Sequence, residues 1–116
     1  MISYSPQQYP FDIYGLLFRL GVTPCYRGFY ETAHAVYLCV EHPEKLLMVT
    51  KDLYPSVAKQ YHTTGDSVGR NIGTVIKYIW KTNPDLLAEL AHRPLTKRPS
   101  TSQFIAILAN QYLQAE

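Results

Sequence analysis

Apolar residues recur at three- and four-residue spacing along nearly the whole chain, and no segment alternates apolar and polar as a half-buried strand would. The clearest case is Val68, Ile72, Val75, Ile76 and Ile79, which share one face of a helix expected over residues 65–80. The opposite face carries Asp66, Ser67, Gly69, Arg70, Gly73, Thr74 and Lys77. Thr64 is placed to cap this helix, and Asp66 suits its first turn, where the helix dipole favours negative charge. Upstream, Phe29, Ala33, Val36, Tyr37 and Val40 predict a helix over residues 28–41. A shorter apolar helix over residues 11–20 is stopped by Gly21.

His42-Pro43-Glu44 breaks the second helix, and a third is expected over residues 46–53. Pro55 suits the start of a short helix with Val57, Ala58 and Tyr61 on one stripe. Asn83-Pro84-Asp85 opens another that runs to about Leu90. Ser100 and Gln103 have capping-box spacing ahead of Phe104, Ile105, Leu108 and Leu113. Residues 1–10, rich in Ser, Gln, Tyr and Pro, read as an irregular arm before a folded domain over residues 11–116. The expected fold is all-α: a compact bundle of about six helices containing a helix-turn-helix over residues 55–80.

Composition narrows the picture. The chain has 116 residues, 47% of them hydrophobic, which supports one core without disulfide or metal reinforcement. Ten tyrosines predict many half-buried rings with a polar tip. No apolar run approaches the roughly 18 to 20 residues of a membrane span, and the N-terminus lacks signal-peptide character, so a cytoplasmic location is expected. The net charge is only +2, but it is unevenly spread. Residues 1–44 hold two basic and four acidic side chains, whereas residues 45–98 hold nine basic and four acidic. The middle of the chain is therefore the anion-facing candidate.

Catalytic and metal chemistry find little support. Cys39 lies in an apolar helical run and reads as a small buried hydrophobe. Cys39 and His42 could share a metal only with Cys25 and His34 completing the set, at a spacing that matches no common zinc module. His34, His42, His62 and His92 are scattered, with no nucleophile–base pair or acidic dyad. Gly65, Gly69 and Gly73 fall in a helical pattern with no strand before them, which excludes a phosphate-binding loop. No enzyme activity, cofactor, small-molecule substrate or membrane partner is expected.

In a helix-turn-helix the second helix enters the major groove, and its exposed N-terminal residues meet base edges. Of the residues facing away from the apolar stripe, only Arg70 can grip guanine with two hydrogen bonds. Lys59, Lys77 and Lys81 are expected to neutralise phosphates. Two helices at a turn also occur in bundles that never touch DNA, so this pattern alone leaves both readings open.

A longer pattern adds to it. Leu20-Gly21-Val22 and Gly28 are followed by Leu53-Tyr54-Pro55-x-Val57-Ala58-Lys59-x-Tyr61-x-Thr63-Thr64-x-x-x-Val68-x-Arg70-x-Ile72, then by Ile76 and Trp80. Pro99-Ser100-x-Ser102-x-Phe104-Ile105-Ala106 completes the series. This order resembles the C-terminal effector-domain family of the stage 0 sporulation protein A response regulator, from about Phe11 to Leu113. The resemblance implies a module of roughly six helices that regulates transcription by binding double-stranded DNA through residues 65–80. The implied contact set is Thr64, Asp66, Ser67, Arg70, Asn71, Thr74 and Lys77, with Lys59 and Lys81 at its edges.

Departures from the family pattern sharpen the expectation. Ser67, Gly69 and Gly73 stand where the family carries charged residues, and Thr74 where it tends to have histidine; Arg70 keeps a long basic side chain. Either small residues allow close approach to a groove or partner, or base reading has decayed. About ten residues precede the first expected helix, so the receiver domain that usually drives dimerisation is expected to be absent. A competing expectation is an interaction module that pairs with itself or with a related regulator and has lost sequence-specific reading.

Overall fold

The structure is a computed structural model that describes residues 9–113; residues 1–8 of the expected arm lie outside the described residues. Six α-helices form the bundle, with no strand among the described residues. Helix α1 (Ile13–Arg19) opens on Asp12, whose carboxylate accepts from the Gly15 N–H at 2.8 Å. Gly21 ends this segment at φ 93°, a left-handed conformation that glycine adopts without penalty. The stop predicted at Gly21 is therefore correct. Helix α2 (Gly28–Glu41) has the limits expected from its apolar spacing.

The regular helix expected over residues 46–53 does not form. Its place is taken by a 3₁₀ turn (Pro43–Leu47) and a π turn (Val49–Leu53), divided by Met48 at φ −134°. The physical reason is the pattern: Leu46, Leu47, Met48 and Val49 are consecutive, so no single helical face can bury them all. Leu53 is buried, whereas Leu47 is 84% exposed. Lys45 braces this knuckle by donating to Asp52 Oδ1 at 2.8 Å, and the Ser56 hydroxyl donates to the same oxygen at 3.3 Å.

Helices α3 (Tyr54–Gln60), α4 (Gly65–Thr82), α5 (Pro84–Ala91) and α6 (Thr101–Leu113) complete the fold. The capping box predicted before α6 is present in both directions. Gln103 Oε1 accepts from the Ser100 N–H at 2.9 Å, and Ser100 Oγ accepts from the Gln103 N–H at 3.2 Å.

Helix α2 is the hub, packed on α1, α3, α4 and α6. Phe29, Ala33, Val36 and Cys39 on it are fully buried, together with Val68, Ile72, Val75 and Ile79 of α4 and Phe104, Ile105 and Leu108 of α6. The α2–α4 seam depends on Gly28, where a Cβ would stand 2.5 Å from the Asn71 carbonyl oxygen and 2.7 Å from Val75 Cγ2. Several tyrosines behave as predicted, with a half-buried ring and a bonded tip. The Tyr61 hydroxyl donates to the Tyr30 carbonyl at 3.2 Å, and that of Tyr112 to the Asp12 carbonyl at 2.8 Å.

Candidate nucleic-acid interface

The unit formed by α3, residues 61–64 and α4 is shaped by its turn. The Thr63 N–H donates to the Ala58 carbonyl at 3.0 Å, and His62 takes a left-handed conformation at φ 55°. This bonding pattern closes a helix C-terminus and fixes the direction in which the next helix leaves. Val57 and Ala58 are buried, and the Tyr61 ring meets His34 of α2 edge-on at 6.0 Å. Helix α4 then starts as predicted: Thr64 Oγ1 accepts from the Ser67 N–H at 3.1 Å, and Asp66 lies in the first turn.

The predicted core stripe of α4 is buried throughout. Asp66, Arg70, Thr74, Lys77 and Lys81 are exposed and follow one another at three- and four-residue steps, so they form a single outward stripe. Ser67 is half-buried beside it, and the Thr74 hydroxyl donates to the Arg70 carbonyl at 3.1 Å. Lys59 is exposed near the end of α3. Asn71 turns the other way. Its side-chain amide donates to Glu31 Oε1 at 3.0 Å in the α2–α4 seam. Glu31 is 8% exposed, and burial pushes its carboxyl above the usual carboxylate range against the opposing pull of Asn71 and Arg27.

The two glycines of this face differ. Gly69 is covered, because the ring of Tyr54 occupies the space beside it and reaches on to α6, where the Tyr54 hydroxyl donates to Thr101 Oγ1 at 2.9 Å. Beyond the backbone of its own helix and its chain neighbours, Gly73 has no atom within 4 Å of where a Cβ would stand. It opens a groove of about 420 Å³. Arg70, Thr74 and Lys77 of α4 form one wall, and Arg98, Pro99 and Ser100 ahead of α6 form the other. Three cations and no carboxylate line it. The ion pairs His42–Glu44 and Lys45–Asp52 lie elsewhere.

Arg98 is the part of this site that sequence reasoning missed. It falls within the basic middle block, but its segment has no helical period to give it a face. Thr64, Asp66 and Ser67 sit at the N-terminal end of α4 outside the groove lining, and Lys59 and Lys81 are exposed but do not line it either.

Among the described residues, no three His, Cys, Asp or Glu side chains converge as a metal site requires. Cys39 is fully buried, and its thiol is pushed up to about 11 by desolvation. No helix of the described residues is long and apolar enough to cross a membrane.

The all-α bundle coincides with a known domain type. The family model described as "Sporulation initiation factor Spo0A C terminal" matches residues 13–112, from the first residue of α1 to the last turn of α6. The chain thus belongs to the Spo0A C-terminal family, the DNA-binding effector domain of a sporulation regulator.

Proposed function

We propose that this chain binds duplex DNA by laying the outward stripe of α4 into the major groove, as a helix-turn-helix transcription regulator. The observation that carries this reading is the exposed stripe itself: Arg70 and Lys77 stand on α4 over a groove lined by cations and free of carboxylates. In this pose Arg70 is the base reader, since a guanidinium can bond guanine O6 and N7 together. Thr64, Asp66 and Ser67 approach the bases or the adjoining backbone from the N-terminal end of α4. Thr74 lies one turn beyond Arg70, and Lys59, Lys77 and Lys81 neutralise phosphates.

The short side chains of Ser67 and Gly73 restrict direct reading to few base pairs. Sequence preference then rests heavily on Arg70 and on how easily the duplex takes the required shape. The competing reading, a module that pairs with itself or with a related regulator, rested in part on Gly69 and Gly73 as a small-residue docking face. Gly69 is filled from within by Tyr54, which supports a packing reason for that glycine.

In vitro selection of bound duplexes, followed by anisotropy titration of the selected sequence against a scrambled one at low salt, tests the proposal. A clear preference for the selected duplex is expected. Equal affinity for both sequences would remove the specific reading, and no affinity for either would remove DNA binding.

A further inference from the structure

The groove has two walls, and only one belongs to the α3–turn–α4 unit. Arg98 stands on the other, exposed, in the irregular segment that leads from α5 into α6. That segment is held in place. Thr101 accepts the Tyr54 hydroxyl at 2.9 Å, and Ser100 closes its capping box with Gln103. The one charged side chain on this wall is that of Arg98. Pro99 is buried beside it and limits the backbone to one φ.

We infer that this groove seats one phosphodiester of the DNA strand bordering the major groove, between Lys77 on one side and Arg98 on the other, with Gly73 as its open floor and Arg70 at its edge left free to read a base. The inference rests on the proposed DNA-binding reading and adds to it a clamp residue outside the two-helix unit. The dimensions suit the occupant: about 420 Å³ open to solvent admits a phosphate with its flanking sugars. The charge suits it as well, with three cations and no carboxylate in the lining. Gly73 gains a purpose on this account. A glycine in a helix interior is destabilising by about 1 kcal/mol relative to alanine, and here it leaves space that a methyl group would fill.

The experiment compares the wild type with Arg98→Ala, Lys97→Ala, Gly73→Ala and Arg70→Ala, titrating the selected and scrambled duplexes between about 50 and 200 mM salt. Lys97 is exposed, carries the same charge and does not line the groove, so it controls for loss of net charge. Arg98→Ala is expected to weaken both duplexes alike, by about three- to tenfold, and to reduce the slope of log affinity against log salt by about 0.9, the share of one phosphate. Lys97→Ala should change neither to that extent. Gly73→Ala should melt at a higher temperature than the wild type and yet bind DNA more weakly, a pairing that a purely structural role would not produce.

If the wild type and Arg70→Ala behave as DNA binding requires while Arg98→Ala matches Lys97→Ala, the clamp is overturned and the DNA reading stands. Unchanged or tighter binding by Gly73→Ala likewise overturns the clamp. If the wild type binds neither duplex, the DNA reading itself fails, and the clamp fails with it.

Discussion

The ring of Tyr54 occupies the place a side chain at position 69 would need: a Cβ on Gly69 would stand 2.8 Å from Tyr54 Cε2 and 3.2 Å from Cζ. Since the Tyr54 hydroxyl continues to Thr101, one side chain of α3 ties α4 to the start of α6. The outward stripe of α4 and the Arg98 wall are thereby held in one frame. The space left by Gly69 is a structural requirement, whereas that left by Gly73 is an opening.

The two glycines should therefore respond to alanine with opposite signs. Helix propensity favours alanine at both by about 1 kcal/mol. At Gly69 the added methyl must push the Tyr54 ring and strain its bond to Thr101, at a cost of about 1 to 3 kcal/mol. Gly69→Ala is thus expected to lower the thermal midpoint and Gly73→Ala to raise it. A stabilised Gly69→Ala would show that the ring moves freely and that the frame is loose.

Gly28→Ala should be the more damaging change. Its methyl would meet the Asn71 carbonyl, which is backbone inside α4 and cannot rotate aside, as well as a methyl of Val75. The α2–α4 seam must then open at the centre of the core, with an expected loss of about 3 kcal/mol. Urea unfolding checks this: the midpoint should fall while the slope stays as in the wild type.

Glu31 gives stability a dependence on acidity. Its folded carboxyl is raised above the unfolded value of 4.5, chiefly by burial, so the folded state holds the proton more firmly. Stability contributed by that proton is present below the unfolded value and declines as pH rises through the folded one. Glu31→Gln keeps an oxygen for the Asn71 amide and removes the buried charge. It is expected to raise the melting temperature near pH 7, with the gain fading as pH falls towards 4.5. A gain that is the same at both pH values would place the cause elsewhere.

His34 acts in the other direction. Its imidazole is held below the usual value of 6.5 by desolvation, with Nδ1 3.1 Å from the Tyr9 hydroxyl. Here the unfolded chain takes up the proton first, so stability falls as pH drops from 6.5 through the folded value. His34→Gln should flatten the melting temperature across that interval. If the acid-side slope is unchanged in the variant, another group sets it.

Much of this architecture could be read from spacing because burial is periodic in a helix. The limits of α2, the Thr64 cap, the Gly21 stop and the Ser100–Gln103 box are local chemistry written in a few adjacent residues. The knuckle at residues 43–53 was not legible, because four consecutive apolar residues satisfy a helical template without specifying a face. The exposed face of α4 was legible, whereas the groove it shares with the segment before α6 was not. Nothing in the local sequence says that Tyr54 will fill the space at Gly69, that Asn71 will turn inward to Glu31, or that Arg98 will stand opposite Lys77. These are juxtapositions of residues 15 to 40 positions apart, set by how the helices pack.

The roles assigned along α4 can be separated by one further comparison. Arg70 is exposed on the outward stripe and has the only guanidinium there, so Arg70→Ala should weaken the selected duplex by about 1 to 3 kcal/mol and bring its affinity towards that of the scrambled one. Lys77 lies two turns further along and offers a point charge, so Lys77→Ala should weaken both duplexes equally and flatten the salt dependence by about one phosphate. Asn71 serves as the internal control. Asn71→Ala leaves the Glu31 carboxylate without its amide partner and should lower thermal stability by about 1 to 3 kcal/mol, while the ratio of selected to scrambled affinity holds. A collapse of that ratio in Asn71→Ala, with Arg70→Ala retaining it, would move base reading from the outward stripe of α4 to its flank.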